Sequence, residues 1–162
     1  EAIKYLNEEV KKPTKLVIVT PKNFFKDRLA NYAKSISASK YLEFTKFLSD
    51  DELGFLYSKA HAFVYPSTEE GFGLPGLEAI SNKTLLLCSD IKVFKEVYGE
   101  SATYFNPYDF SSIQRAMFDS LNLSKEMRSE KIINSQKVLG SYSLEKMAKD
   151  TLRVYESSNS LR

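Results

Sequence analysis

The sequence predicts an α/β domain built on a doubly wound, Rossmann-like parallel sheet. Short apolar runs of strand length alternate with longer segments of helical spacing, which is typical of parallel strands joined by crossover helices. A glycine-rich turn also follows one of these strands and opens a helix, as at the carboxyl end of a parallel strand. The 162 residues are 43% hydrophobic and 27% charged, which suits one globular domain, 1–162, that buries a core.

The first half of the chain is predicted to contain three helices and three strands in alternation. Helices are expected near residues 2–10, 26–37 and 50–60, and strands at residues 16–20, 41–45 and 62–65. The first strand is the apolar run Leu-Val-Ile-Val, and the third is β-branched and aromatic and ends at Pro66. The third helix has a start signal, because Ser49 and Glu52 have the spacing of a capping box.

The second half continues the alternation and then becomes helical. A helix is expected from Pro75, a strand at residues 84–89, a short helix near 93–98 and a strand at 103–106. Three helices are expected to close the chain. The last of them has an apolar face, with lysine and arginine side chains opposite. That apolar face comprises Leu144, Met147, Ala148, Leu152 and Tyr155.

The turn after the strand at 62–65 is predicted to bind an anion. Pro75 suits the first helical position, because its missing N–H costs nothing there and its φ is already helical. The preceding backbone N–H groups, those of Phe72, Gly73 and Leu74, then face outward from the positive end of the helix. Gly71 and Gly73 have no Cβ to keep a ligand off the backbone, and a side chain at Gly73 is expected to project toward the bound phosphate.

Two glutamates eight residues apart flank this turn. Glu70 lies in the turn, within reach of hydroxyls on a group seated over the N–H groups. Glu78 lies about one helical turn beyond Pro75, where it would accept hydrogen bonds from a diol on the same ligand. The combination suits a sugar attached to a phosphate. The alternative is an ordinary strand–turn–helix with two solvated glutamates.

The whole string resembles the signature of the family 4 retaining glycosyltransferases. In that family a strand ending in Pro-Ser is followed by Glu-Gly-Phe-Gly-Leu-Pro, two residues and Glu-Ala, which residues 65–67 and 70–79 match. The resemblance implies that Glu70 contacts the donor sugar near its reacting carbon and that Glu78 holds the ribose hydroxyls. It also implies that the turn's amides contact the sugar hydroxyls and the diphosphate.

The resemblance covers nearly the whole chain, with departures on both sides of the signature. Residues 49–53 resemble the preceding helix, and residues 105–107 resemble a later loop. Lys46 replaces an expected glycine, which affects the base pocket. Residues Thr45, Lys46 and Phe47 lie beyond a strand end and are candidate base contacts. Asn82 stands where a glycine is typical, and it is expected to take the left-handed conformation that ends the helix.

By this resemblance the chain is the carboxy-terminal, donor-binding domain of an enzyme with the GT-B fold. Such an enzyme moves a hexose from a GDP or UDP sugar to an acceptor hydroxyl with retention at the anomeric carbon, and the family-level expectation for the hexose is mannose or glucose. The implied partners are the nucleotide-sugar donor and a saccharide or lipid-linked acceptor. Neither a metal nor another cofactor is expected, because helix amides stabilise the departing diphosphate.

The resemblance also implies that the domain is incomplete at its N-terminus. By the family's pattern the chain begins inside the helix after the domain's first strand, and that strand would be central in the order 3-2-1-4-5-6. The strand, an Arg and Lys pair that clamps the diphosphate and an N-terminal acceptor domain are expected upstream. The isolated domain is therefore expected to be inactive.

Two other functions remain open. The chain is alternatively a non-catalytic module that binds a nucleotide sugar, or a domain of a nucleotide-sugar epimerase. Paired carboxylates also occur in glycosidases, but the N–H groups between them argue against that class. A hydrolase of simple glycosides has no phosphate to hold.

Composition and the single cysteine and histidine limit the partners and the cellular location that the sequence predicts. The net charge of +2 and the lack of a lysine-arginine run give no reason to expect nucleic acid as a partner. Cys88 is the only cysteine, in a run that looks like a buried strand, which suits a reducing cytoplasm. With no apolar run near 20 residues, the expected location is cytoplasmic, peripheral to the inner face of the membrane through the missing domain. His61, the only histidine, is not expected to be catalytic.

Overall fold

The computed structural model describes residues 1–159, except for the side chains of Leu144 and Asn159. Helices and strands alternate as predicted, and three helices follow the last strand. In chain order the elements are α1 (Ala2–Glu9), β1 (Leu16–Val19), α2 (Phe24–Ser35), β2 (Leu42–Thr45), α3 (Asp50–Lys59), β3 (Ala62–Tyr65), α4 (Leu74–Ser81), β4 (Leu85–Ser89), α5 (Lys92–Tyr98), β5 (Ala102–Phe105), α6 (Phe110–Leu121), α7 (Lys125–Gln136) and α8 (Leu144–Asn159). Short 3₁₀ turns lie at Ser39–Tyr41, Gly99–Ser101 and Lys137–Ser141. No helix of the described part of the chain is both long and apolar enough to cross a bilayer.

All strand pairs among the described residues are parallel, which confirms the predicted fold class. One ladder has the order β3-β4-β5, and a second joins β1 to β2. The edge of β1 that faces away from β2 pairs with no described strand, and the same is true of the edge of β3 that faces away from β4. The side chains of Val17 and Val19 on β1 are 38% and 40% exposed.

The core lies on both faces of β4, whose five residues are all buried. On one face α4 and α5 contribute Ile80, Phe94 and Tyr98. On the other face α1 and α6 contribute Ile3, Leu6 and Met117. Half-buried residues of β1 and β2 pack against this second cluster, so that α1 links the two ladders.

The starts of α3 and α4 can be compared with the start signals in the sequence. Before α3, the Ser49 amide donates to Glu52 Oε2 at 2.8 Å, and the Glu52 amide donates to Ser49 Oγ at 3.4 Å. This pair confirms the predicted capping box. Helix α4 begins at Leu74, one residue earlier than predicted, so Pro75 occupies its second position.

The expectation for Asn82 was wrong, because Lys83 takes the left-handed conformation instead, with φ of 60°. The amides of Lys83 and Thr84 donate to the carbonyls of Ile80 and Ala79, both at 3.0 Å. These bonds form a Schellman motif, which places the left-handed residue one position after the helix cap. Asn82 is that cap, with φ of −86°, and its side chain donates to the Glu78 carbonyl at 2.9 Å.

Helix α8 has the predicted apolar face, but that face is exposed. Met147 and Tyr155 are 61% and 66% exposed, and Leu152 is similarly open. The side chain of Leu144 lies outside the described residues. Ion pairs between neighbouring turns, such as Lys149 with Glu145 at 2.6 Å, hold the polar side of the helix.

Candidate functional site

The predicted binding turn lies at the carboxyl end of β3, where the chain passes into α4. Parallel α/β sheets place their ligands at this edge. The strand ends at Tyr65, and the Ser67 hydroxyl donates to the Glu69 carbonyl at 3.0 Å within the turn. The structure therefore places the glycine-rich string where the sequence predicts it.

Glu70 is half-buried, and a tyrosine hydroxyl orients its carboxylate. The Tyr65 hydroxyl donates to Glu70 Oε1 at 2.7 Å. The Tyr65 ring packs against Phe63 and Phe94, with centroids 5.4 and 4.8 Å away. Burial and the hydrogen bond to Glu70 both raise the pKa of Tyr65 above its usual value of 10, so its hydroxyl stays neutral and keeps donating.

Gly73 is the cap residue of α4 and has a left-handed φ of 101°. Its carbonyl accepts a hydrogen bond from the buried Tyr98 hydroxyl. A Cβ on Gly73 would meet that hydroxyl, and it would lie only 2.8 Å from Phe94 Cε1. The expectation that a side chain here projects toward the ligand was therefore wrong, because Gly73 faces the core.

Gly76, in the first turn of α4, makes an equally close approach to Tyr98. A Cβ there would lie 2.5 Å from Tyr98 Cζ. In contrast, a Cβ on Gly71 would have no atom within 4 Å. Gly71 thus leaves open space beside the turn, whereas Gly73 and Gly76 allow the turn to sit on the tyrosine ring.

The backbone of the turn presents N–H groups that are available to a ligand. Within residues 1–159, the amides of Phe72, Gly73 and Leu74 donate no hydrogen bond to another residue. The Leu74 side chain is exposed, and the Phe72 ring makes an edge contact with Tyr142 at 5.2 Å. A row of unpaired amides at a helix N-terminus suits an anion such as a diphosphate.

Glu78 is exposed on α4, and its carboxylate has no ion-pair or hydrogen-bond partner in the described part of the chain. The negative charge of Glu78 nevertheless affects the pKa of two nearby tyrosines, Tyr57 and Tyr65. Burial, with a smaller contribution from Glu78, raises the pKa of Tyr57 to about 12. Both Glu78 and Glu70 also contribute to the raised pKa of Tyr65, so the two carboxylates lie around the same ring.

The candidate base contacts lie at the end of β2, apart from the turn. The Thr45 hydroxyl donates to the Lys46 carbonyl at 2.8 Å, and Phe47 is 80% exposed. Like Glu70, these residues follow the carboxyl end of a strand in a parallel ladder. However, β2 belongs to the other ladder, and no described contact joins residues 45–47 to the turn.

Sequence reasoning missed the two tyrosines that hold the turn. Tyr65 carried a usable signal, because it ends the strand five residues before Glu70. Tyr98 carried none, since it is 25 residues from Gly73 and approaches it only through the packing of α5.

The only histidine and the only cysteine of the chain both lie away from the turn's ligand side. His61 precedes β3, at the opposite sheet edge from Glu70, with Nε2 2.9 Å from the Ser120 carbonyl. Cys88 is fully buried, and burial raises the pKa of its thiol to about 12. Among the described residues, no group of three or more histidine, cysteine, aspartate or glutamate side chains is placed to hold a metal ion.

The chain is similar in sequence to known glycosyltransferases. The family model for glycosyl transferases group 1 matches residues 1–138. The O-antigen chain mannosyltransferase RfbU of Salmonella typhimurium strain LT2 is 40% identical over 102 residues, which are 63% of this chain and 29% of that protein. The serotype-specific mannosyltransferase WbdA of Escherichia coli is 38% identical over 115 residues, which are 68% of this chain and 14% of that protein. The chain therefore spans less than a third of the length of these two relatives.

Solved structures show the same fold. Sucrose-phosphate synthase from Thermosynechococcus elongatus superposes with a TM-score of 0.83 at 18% identity, over 99% of this chain and 42% of that one. An Escherichia coli trehalose-6-phosphate protein bound with UDP-2-fluoro glucose gives a TM-score of 0.81 at 16% identity, over 94% of this chain and 39% of that one. Such structural neighbours are glycosyltransferases of the GT-B fold.

Proposed function

The chain belongs to the group 1 glycosyl transferases, and from that premise we propose that it is the donor-binding half of a retaining hexosyltransferase of family 4. The observation that carries the proposal is the turn after β3. There, a carboxylate oriented by Tyr65 lies beside three unpaired amides at the start of α4. This arrangement offers an acceptor for sugar hydroxyls next to donors for a diphosphate.

The difficult step in the proposed reaction is the departure of the diphosphate from the anomeric carbon. The amides of Phe72, Gly73 and Leu74 stabilise the charge that develops on the leaving oxygen. Glu70 orients the sugar and favours the positive charge that builds on the ring. The acceptor hydroxyl oxygen then bonds to the anomeric carbon on the face that the diphosphate leaves, and its proton passes to the departing diphosphate oxygen. No metal or other cofactor is needed in this proposal.

The ribose and the base of the donor are assigned to residues beyond the turn. Glu78 is free to accept hydrogen bonds from the two ribose hydroxyls, because nothing described pairs with its carboxylate. Thr45, Lys46 and Phe47 are the proposed contacts of the base. The donor is a GDP or UDP hexose, and the names of the relatives favour mannose over glucose. The acceptor is a hydroxyl of a saccharide or lipid-linked glycan, in polysaccharide synthesis at the cytoplasmic face of the membrane.

We also propose that one further strand, from an upstream part of the full-length protein, completes the sheet between β1 and β3. The order β2-β1-new strand-β3-β4-β5 would then be the doubly wound order 3-2-1-4-5-6. Two unpaired strand edges and the exposed Val17 and Val19 support this arrangement. The added strand would connect to the acceptor domain, and it would bring residues 45–47 into one sheet with Glu70.

The test is donor turnover by the full-length protein and by its Glu70→Gln variant. We expect kcat to fall by on the order of 10²-fold in the variant, the scale for losing one preorganised electrostatic contact, with binding of the bare nucleoside diphosphate nearly unchanged. Chelation of divalent metals should have little effect on either protein. A loss of nucleotide affinity that matches the loss of rate would make Glu70 a binding residue.

The same assay separates the alternatives. A panel of nucleotide sugars that bind without turnover would indicate a non-catalytic module. Release of an epimerised sugar would identify an epimerase. Complete dependence of turnover on a divalent metal would contradict the metal-free mechanism.

A further inference from the structure

We propose that Tyr65 is a positioning residue, whose hydroxyl holds the Glu70 carboxylate in the orientation that the sugar-transfer step requires. This inference rests on the proposed function. Its basis is the 2.7 Å hydrogen bond from Tyr65 to Glu70 Oε1, which is the one described hydrogen bond of that carboxylate. Glu70 itself lies on a turn, where no regular backbone pairing fixes its side chain.

Tyr65 is a rigid base for this hydrogen bond. Its backbone is in β3, opposite Cys88 of the fully buried strand β4. Its ring lies between Phe63 and Phe94, and Phe94 has no exposed surface. The sheet and the core thus fix the position of the Tyr65 hydroxyl. Because Glu70 accepts a hydrogen bond from this fixed hydroxyl, the orientation of its carboxylate is restricted as well.

The hydrogen bond also gives the two oxygens of the Glu70 carboxylate different roles. Oε1 accepts from Tyr65, which leaves Oε2 for the ligand side of the turn. A carboxylate rotates almost freely about its last side-chain bond, so one fixed oxygen fixes the direction of the other. Without the hydroxyl, the half-buried Glu70 would be free to turn toward water.

The role of Tyr65 is orientation and not proton transfer. Burial first, and then the hydrogen bond to Glu70, raise the pKa of Tyr65, so the hydroxyl remains protonated across any physiological pH. Tyr98 acts in the same way on the other end of the turn, where its hydroxyl holds the Gly73 carbonyl. The half-buried phenol of Tyr65 and the buried phenol of Tyr98 therefore fix the carboxylate and the amides relative to each other.

The test is Tyr65→Phe in the full-length enzyme, with Tyr104→Phe as the matched control. The first variant keeps the packed ring and loses only the hydroxyl. Tyr104→Phe likewise removes the hydroxyl of a half-buried ring, but that hydroxyl donates to the Gly99 and Phe94 carbonyls, at 2.7 and 3.2 Å, and makes no described contact with Glu70. We expect kcat to fall by roughly 10- to 100-fold for Tyr65→Phe, since a displacement of about 1 Å has effects of this size. The affinity for the bare nucleoside diphosphate should change by less than about twofold, as for an interaction made only in the transition state.

A double-mutant cycle with Glu70→Gln distinguishes positioning from a general structural effect. If Tyr65 acts through Glu70, removal of its hydroxyl should change the residual kcat of Glu70→Gln by less than about twofold. The same fold-change in both backgrounds would overturn the inference, as would wild-type kcat in Tyr65→Phe. If Glu70→Gln alone keeps full activity, the result contradicts the proposed function itself. It is thereby distinguished from a result that contradicts only the role of Tyr65.

Discussion

Replacing Gly73 by alanine should destabilise the region around α4 by about 2–5 kcal/mol. The left-handed φ of 101° would cost alanine about 1–2 kcal/mol. The new Cβ would also press on Tyr98 and lie 2.8 Å from Phe94, and overpacking of this kind costs roughly 1–3 kcal/mol. Both neighbours are buried and belong to α5, so neither side chain can move without disturbing the core.

Gly71→Ala is the matched control for this prediction. It lies two residues away in the same turn, but its Cβ would meet no atom within 4 Å, and its φ is not left-handed. Its effect should stay within about 0.5 kcal/mol. Hydrogen exchange on the amides of β4 and α5 in the full-length protein measures both variants locally.

The protection of the β4 and α5 amides against hydrogen exchange should fall much more in Gly73→Ala than in Gly71→Ala. Gly73→Ala should also lose affinity for the nucleoside diphosphate, because the backbone that carries the amides must shift. Equal protection of β4 and α5 in the two variants would refute the claim that Gly73 packs on Tyr98. Normal donor binding by Gly73→Ala would contradict the role of the turn's amides.

Three further predictions address other parts of the molecule. Glu78→Ala should weaken binding of the nucleoside diphosphate by about 1.5–3 kcal/mol, the scale for hydrogen bonds to a charged group; calorimetry that shows unchanged affinity would remove Glu78 from the site. Lys83→Gly should stabilise the domain by about 1 kcal/mol, because glycine relieves the left-handed φ of 60°, whereas Asn82→Gly should destabilise it; thermal unfolding of the pair tests the Schellman motif. The Cys88 thiol, whose pKa is raised from 9 to about 12, favours the folded state below pH 9 and loses that contribution as the pH rises toward 12. Alkylation of Cys88 at pH 8 should therefore require unfolding, and rapid reaction in the folded protein would show that the thiol is not buried.

The order of helices and strands was predictable because periodicity and start signals are local properties. The run at 85–88 is apolar, and with Ser89 it forms the strand that is buried on both faces. The capping box of Ser49 and Glu52 was equally legible, since both partners lie within one helical turn. The position of Glu70 at a strand end follows from the same local reasoning.

The predictions that were wrong or missing concern the directions in which side chains and backbone groups point, and only the packed structure defines these. Glycine-rich turns are compatible with ligand approach and with core packing, and Gly71 suits the first while Gly73 suits the second. The left-handed residue after α4 was misplaced by one position, because its place depends on which amides reach back to the last helical carbonyls. The hydroxyls of Tyr65 and Tyr98 were missed because their partners are set by tertiary packing.

The unpaired edge of β1 affects how the chain behaves in solution when it is studied alone. Its Leu-Val-Ile-Val sequence combines high β-propensity with no charge, and its two exposed valines lie on the same face. A strand of this kind with free N–H and C=O groups is a template for other chains. Concentrated samples of residues 1–162 should therefore self-associate edge to edge, and a lysine in place of Val17 should delay that aggregation.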